Sequence, residues 1–191
     1  CLAGGRTEAL QYLPADVGCN AWDGVWEGND RVWFIAPSGA THQICRIAPD
    51  EGEVEVVTKG DHDIAAFTMA GEQIVAELST ISSAAEFYTV NPADGALTQI
   101  SEINRAIYDR IRMGEVRKRW VETTDGKQML TWVILPPDFD PAKKYPTLLY
   151  CQGGPQRVVS NGWSYRWNYQ LMAAQGYVVV APTRRRLPAF G

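Results

Sequence analysis

The sequence predicts an all-β first half made of repeated antiparallel blades, followed by an α/β second half. Three observations carry that reading: an internal repeat at a spacing of 43 residues, a change of pattern near residue 115, and a strand–loop–helix–strand order towards the end. At 191 residues, 46% hydrophobic and 21% charged, the chain has the composition of a globular protein with one large domain or two small ones.

Sliding the chain against itself by 43 positions lays IAPDEGEVEVVT (residues 47–58) over VNPADGALTQIS (residues 90–101), matching Pro49 with Pro92 and Gly52 with Gly95. The same shift sets Val32 on Val75 and residues 22–26 on residues 65–69. Each copy reads as short alternating strands. The first has DRVWFIA from Asp30, HQICRIA from His42 and EVEVVT from Glu53; the second has QIVAEL from Gln73, EFYTV from Glu86 and ALTQI from Ala96. A period of roughly 40 to 50 residues with about four strands is the pattern of a propeller blade. Residues 1 to about 20 read as the tail of an earlier blade, and a ring needs about four blades or more, so much of the propeller is expected upstream. The blade region is taken as residues 1–112. Trp22, Trp26, Trp33 and Phe67 fall at repeat positions and read as blade packing. His42, after the turn at Gly39, Ala40 and Thr41, and His62, in the polar stretch GDHD, read as solvated loop histidines, with a channel-lining place the minor alternative.

The second unit is taken as residues 113–191. KRWVETT from Lys118 and QMLTWVILP from Gln128 flank Asp125-Gly126, a hairpin signal. After the polar connection PPDFDPAKKYP comes TLLYC (residues 147–151), whose unbroken apolar character predicts a strand buried on both faces. WSYRWNYQLMAAQ (residues 163–175) spaces Trp163, Trp167, Leu171 and Ala174 as one helical face, with Gly176 as the stop, and YVVVAP from Tyr177 supplies another strand. This βαβ order predicts a right-handed crossover and a mostly parallel sheet. Ligands gather at the carboxyl ends of such strands, where YCQGGPQ (residues 150–156) leaves the sheet. Gly153 and Gly154 let the backbone approach a substrate and aim N–H groups at it, while Pro155 sets the next turn without a competing donor. Donors aimed at one point make an oxyanion hole, worth about 2.7–4 kcal/mol per donor. From the tripeptide alone, a plain tight turn stays open. Neither GxxxxGK[ST] nor GxGxxG occurs, which disfavours a phosphate-binding loop.

The formal net charge of −4 and the pI near 5.2 argue against a nucleic-acid partner, and the dense basic cluster, Arg184 to Arg186, follows a strand. No apolar run approaches the roughly 18–20 residues of a membrane span. Cys1, Cys19, Cys45 and Cys151 form no CxxC pair and there are two histidines, so structural thiols are expected, and neither metal nor cofactor. The opening CLAGGRTEAL has no initiator Met, and both ends read as cut.

Taken in order, EFYTV, TQISEIN, WVETTDG, LPPDFDPAKKYPTLLYCQGGPQ, AAQGYVVVAPTRRR and LPAFG resemble the prolyl oligopeptidase family of serine peptidases, especially its dipeptidyl-peptidase and acylaminoacyl-peptidase branches. The resemblance runs over roughly residues 20 to 191. It implies β-propeller blades followed by the N-terminal part of an α/β-hydrolase domain. It also implies peptide substrates cleaved through a serine ester, with the propeller limiting substrate size. A homodimer of the full-length protein and an extracytoplasmic location, periplasmic or secreted, belong to the same set of expectations. Gln152 stands where relatives carry a Tyr or His, so the oxyanion donors are its side-chain amide or the N–H groups of Gly153 and Gly154. Arg186 and Ala189 replace usual family glycines. The family's GxSxGG nucleophile, its Asp and its His are expected downstream, since no serine here has a GxSxG setting; the piece alone is expected to be inactive, and to associate through its open sheet edges. Two other readings stay open: a non-catalytic scaffold that binds peptides or proteins, and a carboxylesterase, against which the repeat counts.

Overall fold

The computed structural model describes residues 21–48, 52–152 and 158–183. The tail at residues 1–20 with Cys1 and Cys19, the first turn from Pro49, the Gly153-Gly154-Pro155 stretch, the cluster Arg184 to Arg186, and Ala189 lie outside the described residues.

The repeat seen in the sequence is a repeat in space. Strands β1 (Trp22–Glu27), β2 (Arg31–Ser38), β3 (Thr41–Ile47) and β4 (Val54–Val56) form one antiparallel meander; β5 (Asp63–Ala70), β6 (Gln73–Thr80), β7 (Ser83–Val90) and β8 (Leu97–Gln99) form the next. The two meanders join where β3 and β5 run parallel through a single bridge, His42 to Asp63. Trp33, Ile35 and Ile44 of the first meander and Ile64, Ile74, Leu78 and Val90 of the second share one core. On the other face of β2 and β3, Val32, Phe34, Ala36, Cys45 and Ile47 are buried as well. That double burial explains why β2 reads VWFIA rather than alternating. Trp33 is fully buried as expected, whereas Trp26 is 41% exposed and Trp22 faces a cavity.

Two hydrogen-bond hubs shape the chain beyond β8. The carboxylate of Glu86, buried on β7, accepts from the Ser101 hydroxyl, from the N–H groups of Ile103 and Asn104, and from the Asn104 amide. This turns the chain into the short helix α1 (Arg105–Tyr108). Further on, Gly114 pairs through both its N–H and its C=O with the amide of the buried Gln170, which also donates to Ser82. A Cβ on Gly114 would lie 1.8 Å from the Leu135 carbonyl oxygen.

The second sheet contains β9 (Val116–Glu122), β10 (Gln128–Ile134), β11 (Thr147–Leu149) and β12 (Val178–Pro182) in the order β11-β12-β10-β9. The hairpin at Asp125-Gly126 and the β11–β12 parallel pair match the sequence reading. Three features correct it. The sheet is mixed: β12 pairs with β10, and β10 with β9, antiparallel. β11 is an edge strand here, with Leu148 37% and Leu149 64% exposed, because among the described residues it pairs only with β12. The helix is shorter than predicted: α2 spans Tyr169–Ala174, since the Asn168 side chain accepts from the Leu171 N–H and starts it there. Its inward residues are Gln170 and Ala173 rather than Leu171 and Ala174, because the polar bonds of Gln170, not apolar spacing, fix its rotation.

Loop residues 158–164 bind both sheets. The Val159 carbonyl accepts from the Trp132 indole at 3.0 Å and the Thr183 hydroxyl at 3.3 Å, both in or beside the second sheet. Two residues on, the buried Asn161 reaches three separate loops of the first sheet. Its N–H donates to the Ala40 carbonyl (3.1 Å), its amide donates to the Asp61 carbonyl (2.6 Å), and its amide oxygen accepts from the Ile81 N–H (3.0 Å). Lys118 on β9 adds an exposed bridge to Asp61.

Two glycine positions separate backbone strain from collision. Gly126 has φ +76° with open space around its missing side chain, so Gly126→Ala meets only left-handed strain, about 1–2 kcal/mol. Gly95 has φ +73°, and a Cβ there would lie 2.0 Å from the Val57 carbonyl oxygen. We expect Gly95→Ala to lower the free energy of unfolding in urea at least twice as much as Gly126→Ala; equal losses would contradict the packing described for this turn.

Candidate functional site

Where the two sheets meet, the structure holds a cavity of about 650 Å³, within the usual range for small-ligand sites. Its first wall comes from the first sheet: Trp22 on β1, His42 on β3, Asp63 at the start of β5 and Ser79 on β6. The second wall comes from Tyr150 and Gln152, just beyond the carboxyl end of β11, from the loop that carries Asn161, and from Trp167 and Tyr169. Gln152 therefore lies where the sequence places it, at the mouth of the βαβ unit. Gly153 and Gly154, the other two candidate donors, lie outside the described residues.

Gln152 is oriented by its neighbour. The Tyr150 hydroxyl donates to the Gln152 amide oxygen at 2.8 Å, which leaves the amide N–H groups as the donor end of the side chain. The Tyr150 ring is itself held edge-on against Tyr169, with centroids 5.0 Å apart. Burial, reinforced by the neighbouring Tyr150, pushes the Tyr169 hydroxyl pKa well above its usual value, so it remains a protonated hydroxyl.

A polar pair in the cavity, His42 with Asp63, was not legible from local sequence. The Asp63 carboxylate takes the His42 backbone N–H on one oxygen and faces the His42 Nδ1 on the other, each at 3.0 Å. The pair is the bridge that joins the two meanders, so its geometry is fixed by backbone as well as side chain. The edge of Trp22 packs on the His42 ring with centroids 5.0 Å apart. Gly162 passes over the carboxylate so closely that a Cβ there would lie 2.6 Å from Asp63 Oδ2. His42 is thus a strand residue lining the cavity, not a solvated loop histidine. His62 departs from the reading too: it is 8% exposed, and its buried Nε2 meets no hydrogen-bond partner among the described residues. The packing of His62 against Gly60, where a Cβ would lie 2.9 Å from its Nδ1, accounts for that burial.

Cys45 is buried, as a structural thiol, whereas Cys151 is exposed beside Gln152. Among the described residues, no three His, Cys, Asp or Glu side chains cluster to hold a metal, and no helix is long and apolar enough to cross a membrane.

Two sheets of different construction, a repeated antiparallel one and a mixed one that contains a βαβ unit, meet at a shared cavity. The chain aligns with the acylaminoacyl peptidase of Pyrococcus horikoshii at a TM-score of 0.75 over 91% of its length and 26% of that protein's; at 24% identity this likeness shows the fold. Sequence relatives narrow the assignment. Dipeptidyl-peptidase 5 of Porphyromonas gingivalis is 46% identical over 160 residues, and that of Porphyromonas endodontalis 37% over 162. Each comparison covers 84% of this chain and 23% of the relative, so the chain spans about a quarter of the length of the curated relatives it matches. No family model matches the chain. The chain belongs to the prolyl oligopeptidase family.

The buried His62 makes the fold pH-sensitive. Desolvation lowers its pKa below the usual value, although Asp63 and Asp61 oppose that shift. Below about pH 6.5 the unfolded chain therefore binds a proton that the folded chain resists, so this group's contribution falls as pH drops. Glu86 acts in a lower window. Burial raises its pKa, but bonds from Ser101, Asn104 and Ile103 outweigh burial and leave it lowered, so its stabilisation is lost only below the ordinary carboxylate range. Denaturant titrations from pH 7 to pH 5 should show stability falling for the natural chain, with a flatter profile for His62→Gln. Parallel profiles would remove His62 as the cause.

Proposed function

We propose that the full-length protein is a serine-type peptidase that hydrolyses short peptides through an acyl-enzyme. Residues 1–112 supply the last blades of a β-propeller, and residues 113–191 the start of an α/β-hydrolase domain. The observation that carries this reading is Gln152, aimed by Tyr150 at the carboxyl end of the parallel β11–β12 pair and facing a peptide-sized cavity closed by the repeated sheet. The relatives named dipeptidyl-peptidase support the same class.

In this reading the nucleophile, its base and its acid come from downstream chain, while this segment stabilises charge. As the serine oxygen adds to the scissile carbonyl, negative charge collects on the carbonyl oxygen. The Gln152 amide N–H, with the N–H groups of Gly153 or Gly154, donates to that oxygen. Because Tyr150 occupies the amide oxygen of Gln152, its donor end needs little reorganisation during reaction, the condition under which such bonds lower the barrier most. The aromatic walls exclude water, and the first sheet restricts entry to short or unfolded peptides.

The test uses the full-length protein with peptidyl p-nitroanilides and a fluorophosphonate probe. We expect covalent labelling, peptide hydrolysis, and for Gln152→Ala a fall in kcat of about 10²-fold with little change in KM. Tyr150→Phe, which frees the Gln152 amide to rotate, should lose less, about tenfold. No labelling and no hydrolysis, with peptides still bound, would replace this reading with a binding scaffold; hydrolysis of simple esters alone would replace it with a carboxylesterase.

A further inference from the structure

The geometry points to His42 as a substrate-binding residue of the first sheet: its Nε2 accepts a hydrogen bond from an N–H of the bound peptide. This rests on the peptidase reading only for its substrate class. Three observations carry it. First, Asp63 consumes the other end of the ring, with its carboxylate 3.0 Å from Nδ1. A carboxylate faces a donor, so the Nδ1 atom carries the proton and Nε2 presents a lone pair in the neutral ring. Second, His42 lines the cavity, its side chain is 23% exposed, and its Nε2 meets no hydrogen-bond partner among the described residues. Third, the ring cannot swing away: its backbone N–H is held by the same carboxylate, Trp22 packs on one side, and Gly162 closes over Asp63 behind it.

The arrangement suits recognition rather than stability. A structural histidine with one nitrogen committed to a buried carboxylate normally finishes its second bond inside the protein. Here the part-exposed His42 side chain lines a cavity walled also by Tyr150, Gln152, Trp163 and Trp167. The carboxylate behind Nδ1 polarises the ring and makes Nε2 a stronger acceptor, as carboxylate-backed imidazoles are elsewhere. An extended peptide whose carbonyl lies near Gln152 has N–H donors within the same cavity. The donor is either a backbone amide or the terminal ammonium, and the two are separable by experiment.

In the full-length protein, His42→Phe, which keeps a flat ring but has no acceptor, should raise KM about tenfold and leave kcat within about twofold. His42→Gln, with an amide oxygen near the position of Nε2, should recover much of that loss. Binding of glycyl-phenylalanine, followed by tryptophan fluorescence, should weaken by the same factor in His42→Phe. Equal effects on free and N-acetylated peptidyl p-nitroanilides assign a backbone N–H as the donor, and an effect confined to free amino termini assigns the ammonium. Unchanged KM and unchanged dipeptide affinity in both variants would overturn the inference, as would a fall in kcat alone. Dipeptide binding that depends on His42 in a protein with no turnover would sustain it while removing the peptidase reading.

Discussion

One residue, Asn161, ties the loop of the second unit to the first sheet, once through its backbone N–H and twice through its side-chain amide. Its three hydrogen bonds go to Ala40, Asp61 and Ile81, which belong to three different loops of the first sheet. Asn161 is buried, and the Ala40 carbonyl and the Ile81 N–H belong to buried residues that would otherwise lack water to satisfy them. Only an amide can serve here: it donates to one carbonyl and accepts from one N–H at the same time, which neither Asp nor Leu can do. The Val159 carbonyl, two residues earlier, is held by Trp132 and Thr183. The loop is thereby tied to the second sheet first and to the first sheet immediately afterwards. The cavity wall that runs from Val158 to Ser164 inherits its position from both.

Much of the chemistry of that junction is polar. Gln170 reaches Ser82 and Gly114, the Trp163 N–H reaches Ser79, and Lys118 reaches Asp61. Apolar clusters sit mainly within each sheet, with Ala40 and Ile81 the two first-sheet residues that enter the core of the second. Polar junctions of this kind fix orientation more than they add stability, since each bond replaces one to water. Geometry at the cavity is therefore specified by a few directional bonds, and it depends on each of them more than a greasy interface would.

What the sequence made legible was whatever repeats or obeys local chemistry. The 43-residue shift carries β2 onto β6, and Gly176, at φ +88°, ends α2 where a stop was expected. The Asp125-Gly126 turn joined the strands predicted on either side of it. What escaped was set by contacts distant in sequence. The spacing of Trp163, Trp167 and Leu171 suggests one helical face, but the Trp163 N–H bonds to Ser79, 84 residues earlier, and helix begins only after the Asn168 cap. His42 and Asp63 stand 21 residues apart, in different copies of the repeat, so no motif and no periodicity could pair them. A hint was present in THQICRI, where alternation puts His42 on the same face as Ile44, away from open loop.

The position of that pair follows from how repeated sheets must connect. Within a meander every strand end returns by a turn, and the backbone groups satisfy one another. Between meanders there is no turn to share, and β3 meets β5 through one parallel bridge only. The first residues of β5 must then find other partners, and Asp63 supplies its carboxylate to the His42 N–H across the gap. A buried carboxylate needs its acceptor oxygens filled, and the His42 ring meets the second of them. The seam between repeats thus concentrates side-chain polarity at one end of the sheet, and that is the end on which the second unit lays its loop. A cavity formed there comes already furnished with directed polar groups from the first sheet, while the βαβ unit brings Tyr150 and Gln152 to the opposite wall.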